Sequence, residues 1–217
     1  MGLLRAFIAV ELPHEIQQAI YEKVTVVLKK ATGPLIRWVP PENMHLTLKF
    51  LGDISPSSVE LVTQMLRVEA DSSHPFEIHV SGLGSFPSLR RPRVIYIGIQ
   101  APACPEPGRH LHLAQVQVRA GLEALQHGVE SASRRLGYES DERPFSPHLT
   151  IGRARQDVST SDQQKIRQAL ENLHIDSLGT ARVDSVHLFK SDLKPSGSVY
   201  TKLFSAPLRS VIASEAK

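Results

Sequence analysis

The spacing of apolar positions changes several times along this chain. Residues Arg5–Leu12, RAFIAVEL, form a short apolar run rich in strand formers and predict a buried strand. Ile16, Ile20, Val24 and Leu28 then recur every fourth position, the spacing of one helix face. IRWVPPEN predicts a short strand stopped by two prolines, which cannot donate to a ladder. Met44–Leu51 predicts the next strand. In SPSSVELVTQMLRVEA, Ser55 suits the N-cap and Pro56 the first helical position, with Val59, Val62 and Leu66 as the apolar face. Phe76–Val80 and Val94–Ile99 predict two strands joined by a loop rich in Gly, Pro and Arg.

In the second half, APACPEPGR predicts a loop, and helical spacing runs from about His110 to Leu136 with a break near Gly128. ESDERPFSP is a loop, His148–Arg153 a strand, and STSDQQKIRQALENL a helix with a capping start. ARVDSVHLFKSDL and VYTKLFSAPL close the chain as strands around a KPSGS turn, and SVIASEAK is expected to fray. This mixture predicts an α+β fold with antiparallel sheets. It also carries a coarse repeat. VPPENMHLTL and RPFSPHLTI each enter through proline, and each is followed by a helix and a strand, FEIHV or ARVDSVHLF. The expectation is one domain over 1–217, built as two similar lobes.

Composition narrows the function. At 217 residues, 41% hydrophobic and 22% charged, the chain can build an ordinary globular core. A net charge of +3 admits an anionic ligand without suggesting a surface that coats nucleic acid. Cys104 is the sole cysteine, so an internal disulfide and a CxxC site are excluded and a reducing, cytoplasmic location is expected. Arg5 interrupts the first apolar stretch and no small-residue cleavage pattern follows, so no signal peptide is expected. No stretch reaches the length of a membrane span. Gly2 lacks the downstream Ser or Thr of a myristoylation signal, since Ala6 and Phe7 stand there. No Walker loop, GxGxxG, HExxH or nucleophile elbow is present.

The chemistry lies in a doubled motif. His45-Leu-Thr47-Leu and His148-Leu-Thr150-Ile stand about a hundred positions apart. Alternation along a strand puts His and Thr on one face and the aliphatic residues on the other. One copy could be a half-buried strand with a solvated face, but two by chance are on the order of 10⁻⁴ in a chain of this composition. Two histidines can divide the work of general base and general acid, since imidazole titrates near neutrality. Threonine hydroxyls can donate to the non-bridging oxygens of a phosphate, where charge builds in the transition state. The set suits phosphodiester cleavage without a metal. A zinc site is disfavoured because no carboxylates stand at ligand spacing, and His110 and His112 in RHLH read as exposed. His79 and His187 read as structural or surface residues of strands, with a place lining the cleft as the lesser alternative for either.

With these motifs the sequence resembles the 2H phosphoesterase superfamily, and more narrowly the LigT-like RNA 2′,3′-cyclic phosphodiesterases. RAFIAVELP, IRWVPPENMHLTLKFLGDI, GLGSFPSLRRPRVIYIGI, RPFSPHLTIGRA and VHLFKSDLKPSGSVYTKLFSAPL carry the likeness over nearly the whole chain. The segment from Pro105 to Tyr138 is longer than usual for the family. The resemblance implies a two-lobed, pseudo-two-fold fold, with antiparallel sheets and outer helices flanking a water-filled cleft. It implies hydrolysis of a 2′,3′-cyclic phosphate to a 2′-phosphomonoester. It further implies His45 as proton donor, His148 as proton acceptor, and Thr47 and Thr150 as phosphate-binding residues, with no cofactor. The partners it implies are RNA ends or small nucleotides with a cyclic phosphate, tRNA fragments among them, acted on by a monomer.

Arg153 follows the second motif as in the family's HLTxxR pattern, but its strand parity differs from that of His148, so phosphate contact requires a bulge. Phe86, Trp38 and Phe145 are candidates to stack a base, against a reading of each as core. Arg90, Arg91 and Arg93 form a local basic patch that suits an RNA backbone or an exposed loop. Two other functions stay open. One is RNA 2′–5′ ligation, the formal reverse reaction; the other is a nucleotide- or RNA-binding module that uses the same pocket without turnover.

Overall fold

The computed structural model describes residues 2–100, 111–194 and 197–209, without the side chains of 100 and 111–119. Nine strands form one curled sheet in the order β7-β4-β5-β6-β3-β1-β8-β9, with β2 against β6. Every pairing is antiparallel. The strands are β1 (Leu4–Glu11), β2 (Ile36–Trp38), β3 (His45–Ile54), β4 (Phe76–Ser88), β5 (Arg91–Gln100), β6 (His148–Ala154), β7 (Gly179–Val183), β8 (Ser185–Lys194) and β9 (Gly197–Pro207). The helices are α1 (His14–Ile20) and α2 (Val26–Thr32), joined by a π turn at Tyr21–Thr25, then α3 (Ser58–Asp71), α4 (Leu111–Arg135) and α5 (Thr160–Glu171). The antiparallel α+β class expected from the sequence is the one observed.

One face of the sheet is closed by the helices. Val10, Leu46, Ile97, Leu149 and Ile151 share a single core with Ile20 and Val24 of the first helical segment, Val62 and Leu66 of α3, and Leu125 and Val129 of α4. Burying a side chain of this size stabilises the fold by about 1.5–3 kcal/mol. On the other face, Phe7, Ala9 and Phe189 form a small buried apolar cluster with Tyr200 against it.

Four local expectations are corrected. First, the loop between Val80 and Val94 is strand, because β4 and β5 form one long hairpin with its register carried from His79↔Gln100 to Ser88↔Arg91. Gly82, at φ +74°, takes the bulge in that hairpin, between Ser81↔Gly98 and Leu83↔Ile97. Second, α4 runs through Gly128 without a break. A Cβ there would meet the Glu69 carboxylate, at the end of a flexible side chain of α3. Third, regular α-helix starts at Ser58 rather than at Pro56, although Ser55 makes the capping bond expected of it, its hydroxyl accepting the Ser58 N–H at 3.2 Å. Fourth, the strand expected over ARVDSVHLFKSDL divides at Asp184. Its first part, β7, pairs with β4, and its second, β8, with β1. FEIHV and ARV, read as counterparts in the repeat, therefore pair with each other (Phe76↔Val183).

The helix over 160–171 has the capping box expected of it, with Ser159 as N-cap and Asp162 reciprocating. APACPEPGR and His110 lie outside the described residues, as do Pro195, Ser196 and residues 210–217. Among the described residues no helix is long and apolar enough to cross a membrane.

Candidate active site

The two motif strands, β3 and β6, meet at the centre of the sheet through one pair, Leu46↔Leu149. Both leucines are fully buried on the helix side. Antiparallel register about that pair places His45 across from Thr150 and Thr47 across from His148, all on the face away from the helices. All four are half-buried, open to a ligand but held by their neighbours.

Each imidazole is oriented by the carbonyl two residues before it. His45 Nδ1 lies 2.8 Å from the Asn43 oxygen and His148 Nδ1 lies 2.7 Å from the Ser146 oxygen. A carbonyl only accepts, so Nδ1 carries the hydrogen and Nε2 is left to exchange a proton. Prolines shape both approaches. Pro41–Asn43 is a 3₁₀ turn closed by Asn43 N–H to Pro40 O and Met44 N–H to Pro41 O, and Pro147 stands between Ser146 and His148.

The histidines differ in their neighbours. His45 stacks on Phe7 (4.7 Å between ring centroids, 25°) and meets Tyr200 edge-on at 5.1 Å. Glu11 pairs with it across β1, and the Glu11 carboxylate is held by Lys202 at 2.5 Å and lies 3.5 Å from His187 Nε2. Burial holds the His45 pKa below the usual histidine value; the Asn43 carbonyl and the Glu11 charge oppose this without cancelling it. Burial likewise lowers His187, against the pull of Glu11. His148 meets the edges of Phe86 (4.9 Å) and Tyr96 (5.4 Å), which stack on each other at 4.4 Å, and pairs across β5 with Gly98.

A bulge decides where Arg153 points. Tyr96 pairs with Thr150 and Ile95 with Gly152, so Ile151 is the extra residue. Ile151 and Gly152 both turn to the core, and Arg153, paired with Val94, returns to the face of His148 and Thr150. β3 has its bulge at the same step. Ala9 pairs with Thr47 and Ile8 with Lys49, leaving Leu48 extra. Lys49 therefore enters the core, 1% exposed. There its Nζ donates to the Glu139 carbonyl at 2.6 Å and pairs with Glu130 at 2.8 Å and Asp141 at 3.4 Å. Phe50, 62% exposed, emerges on the site face with its ring 6.1 Å from that of Phe7.

The structure brings Phe86 against His148, whereas Trp38 and Phe145 pack against the main core. Trp38 covers Gly152, where a Cβ would lie 2.9 Å from its ring. The basic patch divides. Arg93 lines a cavity with Phe86, while Arg90 lies by the exposed face of α5 and Arg91 pairs with Ser88 at the hairpin end. His187, expected to be structural or at the surface, is buried on the site face beside Glu11, whereas His79 pairs with Thr180 of β7. The side chain of His112 is not among those described. No group of three or more His, Cys, Asp or Glu placed to hold a metal occurs among the described residues.

Sequence reading did not single out Phe7, Glu11, Tyr96 or Tyr200. The signal for Tyr96 was present, because Val94 and Tyr96 alternate with buried Ile95 and Ile97 in VIYIGI. Glu11 had no local signal, since its importance comes from strand pairing.

Comparison with known proteins gives a consistent picture. The model of the family described as LigT-like phosphoesterases matches residues 10–96 and 113–200. An RNA 2′,3′-cyclic phosphodiesterase of Thermus thermophilus is 34% identical over 212 residues, 95% of this chain and 91% of its own. Another, of Methanothermobacter thermautotrophicus, is 29% identical over 200 residues, 92% and 96% of the two chains. Among solved structures, a protein of Thermus thermophilus aligns with a TM-score of 0.64 at 28% identity, covering 95% of this chain and 99% of its own. E. coli LigT complexed with 3′-AMP has the same fold, with a TM-score of 0.66 at 24% identity over 95% and 98%.

Proposed function

The chain belongs to the LigT-like phosphoesterase family, and on that premise we propose that it hydrolyses the 2′,3′-cyclic phosphodiester of RNA ends or small nucleotides to a 2′-phosphomonoester. The observation that carries the reading is the matched pair of imidazoles. Both Nδ1 atoms are committed to backbone carbonyls, and both Nε2 atoms are left to one face of the sheet with two threonine hydroxyls.

In this mechanism His148 Nε2 takes a proton from water as its oxygen bonds to phosphorus. The bond from phosphorus to the 3′-oxygen breaks, and protonated His45 gives its Nε2 proton to that oxygen. Thr47 and Thr150 donate to the non-bridging oxygens, and Arg153 adds charge on the same face. No step needs a metal. The neighbours favour this assignment of roles over its reverse, since a carboxylate beside His45 supports its imidazolium while Gly98 beside His148 adds no charge. The phosphate anion adds to Glu11 in favouring the protonated form, against the burial that lowers the His45 pKa.

The strand order supports reading the domain as two similar lobes. From the β6–β3 junction it runs outward through β5, β4 and β7 on one side and β1, β8 and β9 on the other. We take the protein to be a cytoplasmic monomer, acting on RNA fragments such as those of tRNA.

The test is product analysis with adenosine 2′,3′-cyclic phosphate in EDTA. The expected product is adenosine 2′-phosphate, lost in His45→Ala and in His148→Ala while circular dichroism is unchanged. Undiminished turnover in both variants overturns the assignment.

A further inference from the structure

Beside His148, on the same face of the sheet, is a cavity of about 380 Å³ lined by Phe86, Pro87, Arg93, Val94 and Arg143. Its size is at the lower end of the range for small-ligand sites, roughly 300–1,000 Å³. Phe86 is the shared wall, since the ring that lines this cavity also meets the His148 imidazole at 4.9 Å. We infer that this cavity is a second nucleotide subsite, which binds the phosphodiester and base on the 5′ side of the reacting nucleotide. The inference rests on the phosphodiesterase reading and names its substrate class as an RNA chain end rather than a free nucleotide.

Three observations lead there. The first is charge. Arg93 and Arg143 bring two exposed guanidiniums to one small cavity, and neither has an ion pair or side-chain hydrogen bond among the described residues. Arg153 stands next to it, paired with Val94. Guanidinium is the group best shaped to take two phosphate oxygens at once. The second is how the arginines arrive. Phe86 pairs with Val94 and Pro87 with Pro92, so Arg93 is the extra residue of a bulge, and its side chain reaches the cavity that Val94 also lines. Arg143 comes from the loop that delivers His148, a loop tied to the core by Lys49 through the Glu139 carbonyl and Asp141. The third is the aromatic ledge. Phe86 and Tyr96 stack at 4.4 Å and 27°, presenting an apolar surface between His148 and the arginines. Base stacking on such a surface is worth about 1–3 kcal/mol and tolerates any base.

The chemistry of the substrate fixes the direction. A 2′,3′-cyclic phosphate is the 3′ end of a chain, so its only nucleotide neighbour is on the 5′ side. With the cyclic phosphate between His45 and His148, a chain that passes Phe86 brings that neighbour's phosphodiester toward the two arginines.

The experiment compares two substrates, adenosine 2′,3′-cyclic phosphate and the dinucleotide ApA ending in the same cyclic phosphate. The wild type should favour the dinucleotide about tenfold or more in kcat/KM, as expected when one phosphate gains charge-assisted hydrogen bonds. Arg93→Gln/Arg143→Gln should bring the dinucleotide down to the mononucleotide and leave the mononucleotide unchanged. Its dependence of log kcat/KM on log salt should flatten relative to the wild type, since a screened contact between charges is lost. Equal wild-type rates on both substrates, or an equal loss on both in the variant, overturn the subsite. Mononucleotide turnover by the wild type independently reports whether the phosphodiesterase reading stands. If neither substrate turns over, that reading fails, and fluorescence anisotropy of 5′-labelled ApA with a 3′-phosphate decides the subsite. Affinity lost in the double variant supports it, and unchanged affinity removes it.

Discussion

His45 and His148 each place the Nδ1 hydrogen on a carbonyl two residues back, and each motif strand has a bulge one residue after its threonine. Beyond that shared frame the surroundings part. His45 lies on Phe7 and Tyr200 with Glu11 beside it, and His148 meets Phe86 and Tyr96 with Gly98 beside it. Past the bulges, Lys49 and Phe50 on one strand correspond to Gly152 and Arg153 on the other. The backbone repeats while the charges do not. Two like frames thereby give one imidazole with a carboxylate neighbour and one with an arginine a few positions beyond its threonine. That is how near-symmetric strands can supply an acid and a base.

The largest effect should come from removing either histidine. His45→Ala and His148→Ala should each lower kcat by about 10²–10⁴-fold. The comparison sharpens with a substrate whose 3′ bridging oxygen is replaced by sulfur, because a thiolate leaves without a proton. His45→Ala should then recover most of its rate and His148→Ala should not, and the reverse result would exchange the two roles.

Next comes Lys49, whose counterpart is Gly152. Lys49→Met leaves the Glu130 carboxylate largely buried without its cation and should cost about 3 kcal/mol, read as a lower denaturant midpoint. Thr47→Ala and Thr150→Ala should each lose about 10–100-fold in kcat/KM, the worth of a hydrogen bond to a charged group, while Thr→Ser at either position retains most of the rate. Unequal losses would mean that the two threonines do not share the phosphate evenly.

Gly84→Ala tests the His148 side alone. A Cβ there would lie 2.5 Å from the Tyr96 ring, so the ring that stacks on Phe86 and meets His148 must shift. The variant should lose about 1–2 kcal/mol of stability and turn over more slowly, with the burial of His45 untouched.

The smallest effect is in pH. The His45 pKa is lower in the folded chain than its ordinary 6.5, so the unfolded chain takes up the proton first as pH falls. Stability from neutral, buried His45 is therefore full above about pH 6.5 and is lost as pH falls through the lower folded value. His187 acts in the same sense. His45→Gln should flatten the fall in denaturant midpoint below about pH 6.5 but not abolish it. An unchanged slope would show that His45 is not the buried titrating group.

The sequence by itself determined the features that local geometry dictates. Alternation in HLTL and HLTI separates imidazole and hydroxyl from the aliphatic anchors, prolines end the approaches to both strands, and Ser159 with Asp162 starts α5. These depend on covalent spacing and on neighbours within one turn. Gly128, read as a helix break, and the glycines of the β4–β5 hairpin, read as loop, could not be understood that way. Gly128 faces the Glu69 carboxylate of α3, and the Tyr96 ring on the facing strand explains Gly84. Only the tertiary structure decided that Leu46 faces Leu149, that Arg153 returns to the site face while Lys49 leaves it, and that Glu11 rather than a second arginine neighbours His45. Those choices are made by hydrogen-bond register and core packing between segments remote in the chain, and a bulge of one residue is enough to reverse which face a side chain takes.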